Sequence, residues 1–169
     1  MPEPGATAAA TATAAATSGS TATAGPGSAP RAFLAFDYGE RRVGVAVGNT
    51  LLGRARPLRT LAVTGDARFA AIHALLQEWH PDALVVGVPF HPDGAEHENT
   101  RRARRFARQL HGRFRLPVVE VDERWSTTEA QAQVHAGTAP AGRAGGLDAQ
   151  AAAVILDQYL NSGVADAAA

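Results

Sequence analysis

The chain has 169 residues, and its 16 acidic side chains balance its 16 basic ones, so the formal net charge is zero. A zero net charge excludes a uniformly basic nucleic-acid coat, so any basic surface must come from local clustering. The absence of cysteine excludes disulfides and thiolate metal sites.

The N-terminal segment differs in composition from the rest of the chain. Residues 1–30 are almost entirely Ala, Thr, Gly, Ser and Pro, which predicts a disordered tail rather than a signal peptide. No later segment approaches the roughly 20 apolar residues that a membrane span needs. We therefore predict a cytoplasmic protein with one α/β domain over residues 31–162 and a flexible C-terminus over residues 163–169.

The domain begins with three short extended runs separated by turn residues. They cover Ala32–Phe36, Val43–Val47 and Gly53–Leu58, and they predict an antiparallel meander. A helix follows, with Asp66 as a plausible N-cap and His80-Pro81 as its end. Its apolar positions recur at helical spacing and are Phe69, Ile72, Leu75, Leu76 and Trp79.

The second half of the domain alternates strands and helices. Leu84–Val88 has the continuous apolar pattern of a strand buried on both faces, and Pro117–Val121 predicts a further strand. Between them lies a helix that buries Ala103, Phe106, Ala107 and Leu110. Ser126 and Glu129 form a capping-box pattern that starts another helix. After a loop over residues 136–146, the last helix spans about 148–160 and buries Ala152, Ile155, Leu156 and Tyr159. This order predicts a mixed five-stranded sheet with helices on both faces.

Four acidic residues stand in loops or at element ends that such a sheet can bring together. Asp37 follows the first strand, Asp122 follows the fifth, and Asp148 opens the last helix. Glu96 lies in the loop after the fourth strand. Ligands of α/β sheets gather at the carboxyl ends of the strands. Facing carboxylates repel unless cations neutralise them, which predicts Mg²⁺ or Mn²⁺, with two ions able to activate water and stabilise a leaving oxygen.

Each of these carboxylates also has a structural explanation. Asp37 could be a turn residue, Asp122 could pair with Arg124, and Asp148 could cap the last helix. The segment FDYGERRVGVAVG around Asp37 fits sugar-kinase and actin-like proteins as well as RNase H-fold nucleases. The chain lacks room for the second nucleotide-enclosing domain of the kinase and actin-like proteins, which favours the nucleases.

Five stretches of the chain together resemble the YqgF/RuvX family, which is similar to Holliday junction resolvases and has an RNase H-like fold. The stretches are FDYGERRVGVAVG, ARPLRTL, VVGVPFHPDGAEHENTRRARRFA, VDERWSTTEA and LDAQAAAVILDQYL. They stand in family order and at family spacing. The resemblance implies a metal-dependent nuclease that processes the 5′ end of pre-16S ribosomal RNA during ribosome biogenesis.

The resemblance also implies the site residues. Asp37, Asp122 and Asp148 match the family's acidic positions, and Glu96 matches the acidic position after the Asp-Gly pair. The chain departs from the family at Trp125 and Ala149, and it lacks the basic residue that commonly precedes the last aspartate. The metal ligands and catalytic residues are therefore predicted to be Asp37, Glu96, Asp122 and Asp148.

Arginines are the candidate substrate contacts. Seven of them fall between residues 101 and 115, where one helix face could follow a phosphate backbone or could simply be solvated. Arg41, Arg42 and Arg124 flank proposed ligands and are predicted to hold the scissile phosphate, with Arg101 and Arg105 contacting the backbone. The predicted partners are structured RNA, branched DNA or ribosomal precursor particles, bound by a monomer or homodimer. A Holliday junction resolvase and a non-catalytic RNA-binding assembly factor remain alternative functions.

Overall fold

A computed structural model describes residues 29–91, 93–123 and 145–163 of the protein. It contains five strands and three helices within those ranges. The strands are β1 (Ala32–Tyr38), β2 (Val43–Asn49), β3 (Arg54–Leu61), β4 (Ala83–Val88) and β5 (Val118–Asp122). The helices are α1 (Gly65–Trp79), α2 (Glu98–Phe114) and α3 (Gly146–Asn161).

The five strands form one mixed sheet in the order β3-β2-β1-β4-β5. The first three strands pair antiparallel, whereas β4 runs parallel to both β1 and β5. The predicted meander and mixed sheet are therefore confirmed, and the order and directions are those of the RNase H-like fold that the resemblance implies. None of the helices in the described ranges is long and apolar enough to cross a membrane.

Strand alternation divides the core into two layers. Leu34 and Phe36 of β1 point to the face covered by α1 and α2, where Phe106 and Ile72 join the same cluster. Phe33 and Ala35 point to the opposite face, which α3 covers with Ile155, Leu156 and Tyr159. The apolar positions predicted for the helices lie in these layers, and β4 is buried along its whole length. Helices on both faces are thus confirmed.

Several predicted boundaries differ from the structure. The prediction of Asp66 as the N-cap of α1 was wrong, because Thr64 occupies that position without a side-chain hydrogen bond. The last helix begins at Gly146, so Asp148 lies in its first turn rather than opening it. Strand β1 continues through Asp37 to Tyr38, because the pairing with β2 extends to the turn.

Some predictions fall on parts of the chain that the structure does not describe. The predicted N-terminal tail, the helix starting at Ser126 and most of the following glycine-rich loop lie outside the described residues. The division into residues 1–30, 31–162 and 163–169 remains a prediction.

The α3 helix lies directly against the sheet at Gly44 of β2. A Cβ atom at this position would lie 1.8 Å from the main-chain oxygen of Asp148 and 2.7 Å from the nitrogen of Ala149. Both opposing atoms belong to the backbone of α3, which cannot rotate away as a side chain can. The first turn of α3 can therefore lie against β2 only because residue 44 is glycine.

We expect Gly44→Ala to lower the free energy of unfolding by about 3 kcal/mol or more, since the added methyl group must push α3 off the sheet. The measurement is urea unfolding followed by circular dichroism. Gly112→Ala in α2 is the matched control, because nothing lies within 4 Å of its Cβ position. Alanine there should be neutral or stabilise by roughly 0.5–1 kcal/mol. Equal effects of the two substitutions would contradict the packing argument.

Candidate active site

Asp37 lies on the face of the sheet that α3 covers, near the carboxyl end of β1. It follows Phe33 and Ala35 on the same face of the strand, and that face packs against α3. Its neighbours across the sheet are Gly44 on β2 and Gly87 on β4. Both flanking positions therefore lack side chains, which leaves open space beside the carboxylate.

Other elements approach Asp37 through this space. The first turn of α3 lies against Gly44 and brings Asp148 to the edge of the strand. On the other side, a Cβ atom at Gly87 would lie 2.7 Å from Oε1 of Glu123. The two glycines thus allow carboxylates from α3 and from the end of β5 to approach a third carboxylate on β1.

This crowding changes the protonation of the carboxylates. Burial and the charge of Asp148 raise the pKa of Asp37 from its ordinary value of 3.8 to about 6. Burial and the charges of Asp37 and Asp122 raise the pKa of Glu123 from 4.5 to about 7. Clustered carboxylates with raised pKa values are typical of functional sites, because repulsion of this kind weakens the fold unless a bound cation offsets it.

Asp148 has a cationic neighbour. The Nε atom of Arg42 lies 3.2 Å from its Oδ2 atom, and the Arg42 side chain is 65% exposed. An exposed ion pair of this kind is worth at most about 1 kcal/mol, so it opens at little cost. Arg42 can therefore exchange Asp148 for another anion without disturbing the fold.

Two of these carboxylates border an open cleft of about 470 Å³. Asp37 and Glu123 line it together with Arg41, which the sequence predicts as a phosphate contact. Asn99, in the first turn of α2, adds an amide on the opposite wall. The cleft combines acidic groups, one guanidinium and one neutral hydrogen-bonding group, so it can hold a cation and a phosphate together.

The structure places the other predicted acidic residues differently. Asp122 belongs to the row of β5 residues that faces α2, together with Val118 and Glu120, although its charge reaches Glu123. Glu96 forms an ion pair with Arg104, which also lies 3.4 Å from Glu120. Asp122 and Glu96 are not among the residues that line the cleft, and neither is Asp148, although its charge acts on Asp37. Their roles as ligands remain predictions.

Glu123 is the site residue that sequence reasoning missed. It follows Asp122 in the VDERWSTTEA stretch, where the sequence predicts only Asp122 as a ligand. The sequence contained a signal for Glu123. Val119 and Val121 face α3, and strand alternation places Glu123 in the same row.

The predicted basic residues lie in different parts of the structure. Arg41 lines the cleft and Arg42 pairs with Asp148, whereas Arg124 and Trp125 lie outside the described residues. Arg101 is 69% exposed and sits 3.9 Å from Glu98. Arg105 is exposed on the α2 face that turns toward α1.

The donor chemistry fits a hard divalent cation such as Mg²⁺ or Mn²⁺. Asp37, Glu123 and Asp148 offer only carboxylate oxygens, which these ions prefer, and their mutual repulsion would be relieved by positive charge. Within residues 29–91, 93–123 and 145–163, no three acidic or histidine side chains already stand close enough to hold an ion. Binding would therefore require Asp148 to leave Arg42 and turn toward Asp37.

Comparisons with known proteins agree with the resemblance seen in the sequence. A sequence model of the RuvX family, described as Holliday junction resolvase, matches residues 31–162. A protein of Albidiferax ferrireducens named "Putative pre-16S rRNA nuclease" is 60% identical over 132 residues, covering 78% of this chain and 79% of the relative.

A second relative and a solved structure are also similar. A protein of Paraburkholderia phytofirmans with the same name is 57% identical over 137 residues, covering 80% of this chain and 92% of its own. The RuvC protein of T. thermophilus, solved with a Holliday junction substrate, is 16% identical with a TM-score of 0.48 and covers 79% of this chain and 96% of its own.

The raised pKa values predict that the fold is weaker at neutral pH than at mildly acidic pH. Between about pH 4 and pH 7 the folded state binds more protons than the unfolded state, so the free energy of unfolding falls as pH rises. The shift of Asp37 from 3.8 to about 6 corresponds to roughly 3 kcal/mol.

Urea unfolding in EDTA at several pH values between 4.5 and 7.5 checks this prediction. Asp37→Asn should flatten the dependence, because it removes one titrating group and one cause of the raised pKa of Glu123. Adding Mg²⁺ at pH 7.5 should stabilise the wild type more than the variant. An unchanged slope in Asp37→Asn would contradict the electrostatic description.

Proposed function

The chain belongs to the RuvX family, and we propose that it is a metal-dependent nuclease that hydrolyses phosphodiester bonds in precursor ribosomal RNA. The observation that carries the proposal is the pair Asp37 and Glu123 at one cleft, both with raised pKa values, with the charge of Asp148 acting on Asp37. Nothing in the packing of the core requires three carboxylates at this point. Their proximity costs stability and is explained by a reaction.

We propose a role for each of these groups in that reaction. Asp37, Glu123 and Asp148 would hold the cation, with Asp122 as a further acidic group whose charge acts on Glu123. When bound, the cation supplies a nucleophile from water at neutral pH and neutralises charge on the leaving oxygen. Arg41 and the released Arg42 contact the non-bridging oxygens of the scissile phosphate, since guanidinium groups match phosphate geometry.

The substrate in this proposal is the precursor of 16S ribosomal RNA, cut at its 5′ end in the cytoplasm, on free RNA or on ribosomal precursor particles. The names of the relatives from Albidiferax and Paraburkholderia support this substrate. The proposed role is ribosome biogenesis. In this proposal the chain acts as a monomer or a homodimer.

Cleavage of branched DNA is the second candidate function. The family description as Holliday junction resolvase favours it. A resolvase must cut two strands symmetrically, which requires a dimer with two sites. Gel filtration together with a four-way-junction assay therefore separates this function from RNA processing.

We expect metal-dependent cleavage of end-labelled pre-16S RNA that Asp37→Asn reduces roughly a hundredfold or more, because a lost ligand removes several kcal/mol of transition-state stabilisation. The assay compares Mn²⁺, Mg²⁺ and EDTA on the RNA and on a DNA junction. Asp66→Asn is the matched control, since its side chain is 94% exposed and pairs with Arg113 outside the cleft.

The outcomes separate the three functions. RNA cleavage lost in Asp37→Asn supports the proposal, and cleavage of the junction alone supports the resolvase. RNA binding without cleavage at any divalent ion would sink the nuclease and leave a non-catalytic assembly factor. Equal loss in Asp37→Asn and Asp66→Asn would point to unfolding rather than to the site.

The two candidate glutamates, Glu123 and Glu96, differ in their expected importance for cleavage. We expect Glu123→Gln to reduce cleavage about as strongly as Asp37→Asn, because Glu123 borders the same cleft. Glu96→Gln should retain most activity, since Arg104 already neutralises Glu96. Cleavage rates at saturating Mn²⁺ measure both variants, and the reverse ranking would restore Glu96 as the fourth ligand.

A further inference from the structure

A second cleft, of about 360 Å³, lies on the other face of the sheet, between the start of α1 and the α2 helix. Its polar lining is dominated by guanidinium groups. Arg68 comes from α1, and Arg102 and Arg105 come from successive turns of α2. The cleft is therefore a concentrated positive feature on a chain whose net charge is zero.

Arg68 is the most unusual of these groups because only 5% of its surface is exposed. Its Nε donates to the carbonyl of Val63 at 2.9 Å, and its Nη2 donates to the carbonyl of Glu40 at 2.8 Å. The guanidinium also lies over the ring of Tyr38. Within the described ranges no carboxylate forms an ion pair with Arg68. A buried cation held only by neutral acceptors keeps its positive charge available to an anion.

The α2 arginines differ in how strongly the protein already holds them. Arg102 forms ion pairs with Glu40 and Glu98, and its side chain is 38% exposed. Arg105 is exposed, and within the described residues no ion pair involves it. Glu40 thus occupies part of the cleft with a carboxylate, in the position where an external anion would sit beside Arg102.

The two clefts are neighbours. Tyr38 and Glu40 line both of them, the acidic cleft on one side and the basic cleft on the other. The turn after β1 therefore separates the acidic cleft, which would take the scissile phosphate, from the basic cleft, which could take another anion. A polyanion lying across this turn would contact both clefts at once.

We propose that the basic cleft binds a backbone phosphate of the nucleic acid whose neighbouring phosphate occupies the acidic cleft. Arg68 and Arg105 supply the fixed positive charge, and Arg102 joins them when the phosphate displaces Glu40. The inference rests on the proposed function for the identity of the ligand. The shared chemistry is the phosphodiester backbone, which RNA and DNA both carry.

Binding without cleavage tests the cleft. Fluorescence anisotropy in EDTA measures the affinity of the full chain for a single-stranded 12-nucleotide RNA and for DNA of the same sequence, over a series of salt concentrations. Arg105→Gln should weaken both complexes by about 5-fold and reduce the slope of log affinity against log salt by about 1, as expected for a lost phosphate contact. Arg108→Gln is the matched control, since Arg108 is exposed on the same helix but outside the cleft.

A second pair of variants tests the displacement of Glu40. Glu40→Gln should tighten binding, because it releases Arg102 and removes a competing carboxylate. In an Arg102→Gln background the same substitution should have a much smaller effect. This double-mutant cycle separates action through Arg102 from a general change in charge.

The outcomes of the binding and cleavage assays test the cleft and the nuclease separately. Equal effects of Arg105→Gln and Arg108→Gln, or an effect on only one of RNA and DNA, would overturn the phosphate site. Arginine-dependent binding with no cleavage under any metal would keep the cleft and reject the nuclease. Cleavage of long RNA that does not depend on Arg105 would keep the nuclease and reject the cleft.

Discussion

The contact between the first turn of α3 and Gly44 is the constraint on which the rest of the site depends. It fixes the height of α3 over the sheet, and with it the position of Asp148 relative to Asp37. A larger residue at position 44 would move the helix and separate the two carboxylates. Gly87 performs the same function on the opposite side for Glu123. The missing side chains on the two strands that flank β1 therefore determine how closely three negative charges can approach.

The hydrophobic layers offset the electrostatic repulsion among these carboxylates. The carboxylates sit at the end of the α3-facing layer, where Phe33, Ile155 and Tyr159 hold helix and sheet together. The thicker layer on the other face, around Phe106, anchors the strands that carry the acidic groups. Because the two layers pack independently of the charges, the fold tolerates repulsion at one edge of the sheet. This separation allows the acidic groups to stay near one another despite their repulsion.

The strands and the buried faces of the helices were predictable because they depend on local periodicity, as Leu34 and Phe36 or Phe106 and Leu110 illustrate. Asp37 and Asp148 were also predictable, since the topology brings the end of β1 and the start of the last helix together. Glu123 was not identified, because its role depends on the face of β5 to which each residue turns and on the space above Gly87. The pairing of Glu96 with Arg104 was invisible for a similar reason, as it joins residues eight apart through the geometry of a loop. The positions of Glu123 and Glu96 depend on contacts between elements, which patterns along the sequence do not reveal.

The turn between β1 and β2 has only four residues, 39 to 42, and antiparallel pairing continues up to both of its ends. So short a connection cannot change length or swing away from the sheet. Tyr38 and Glu40 therefore keep the acidic and basic clefts at a constant separation. An enzyme that anchors one phosphate in the second cleft and cuts at the first would measure its cleavage position in nucleotides from the anchored group. The site of the cut would then follow from the dimensions of a β-hairpin rather than from the reading of any base.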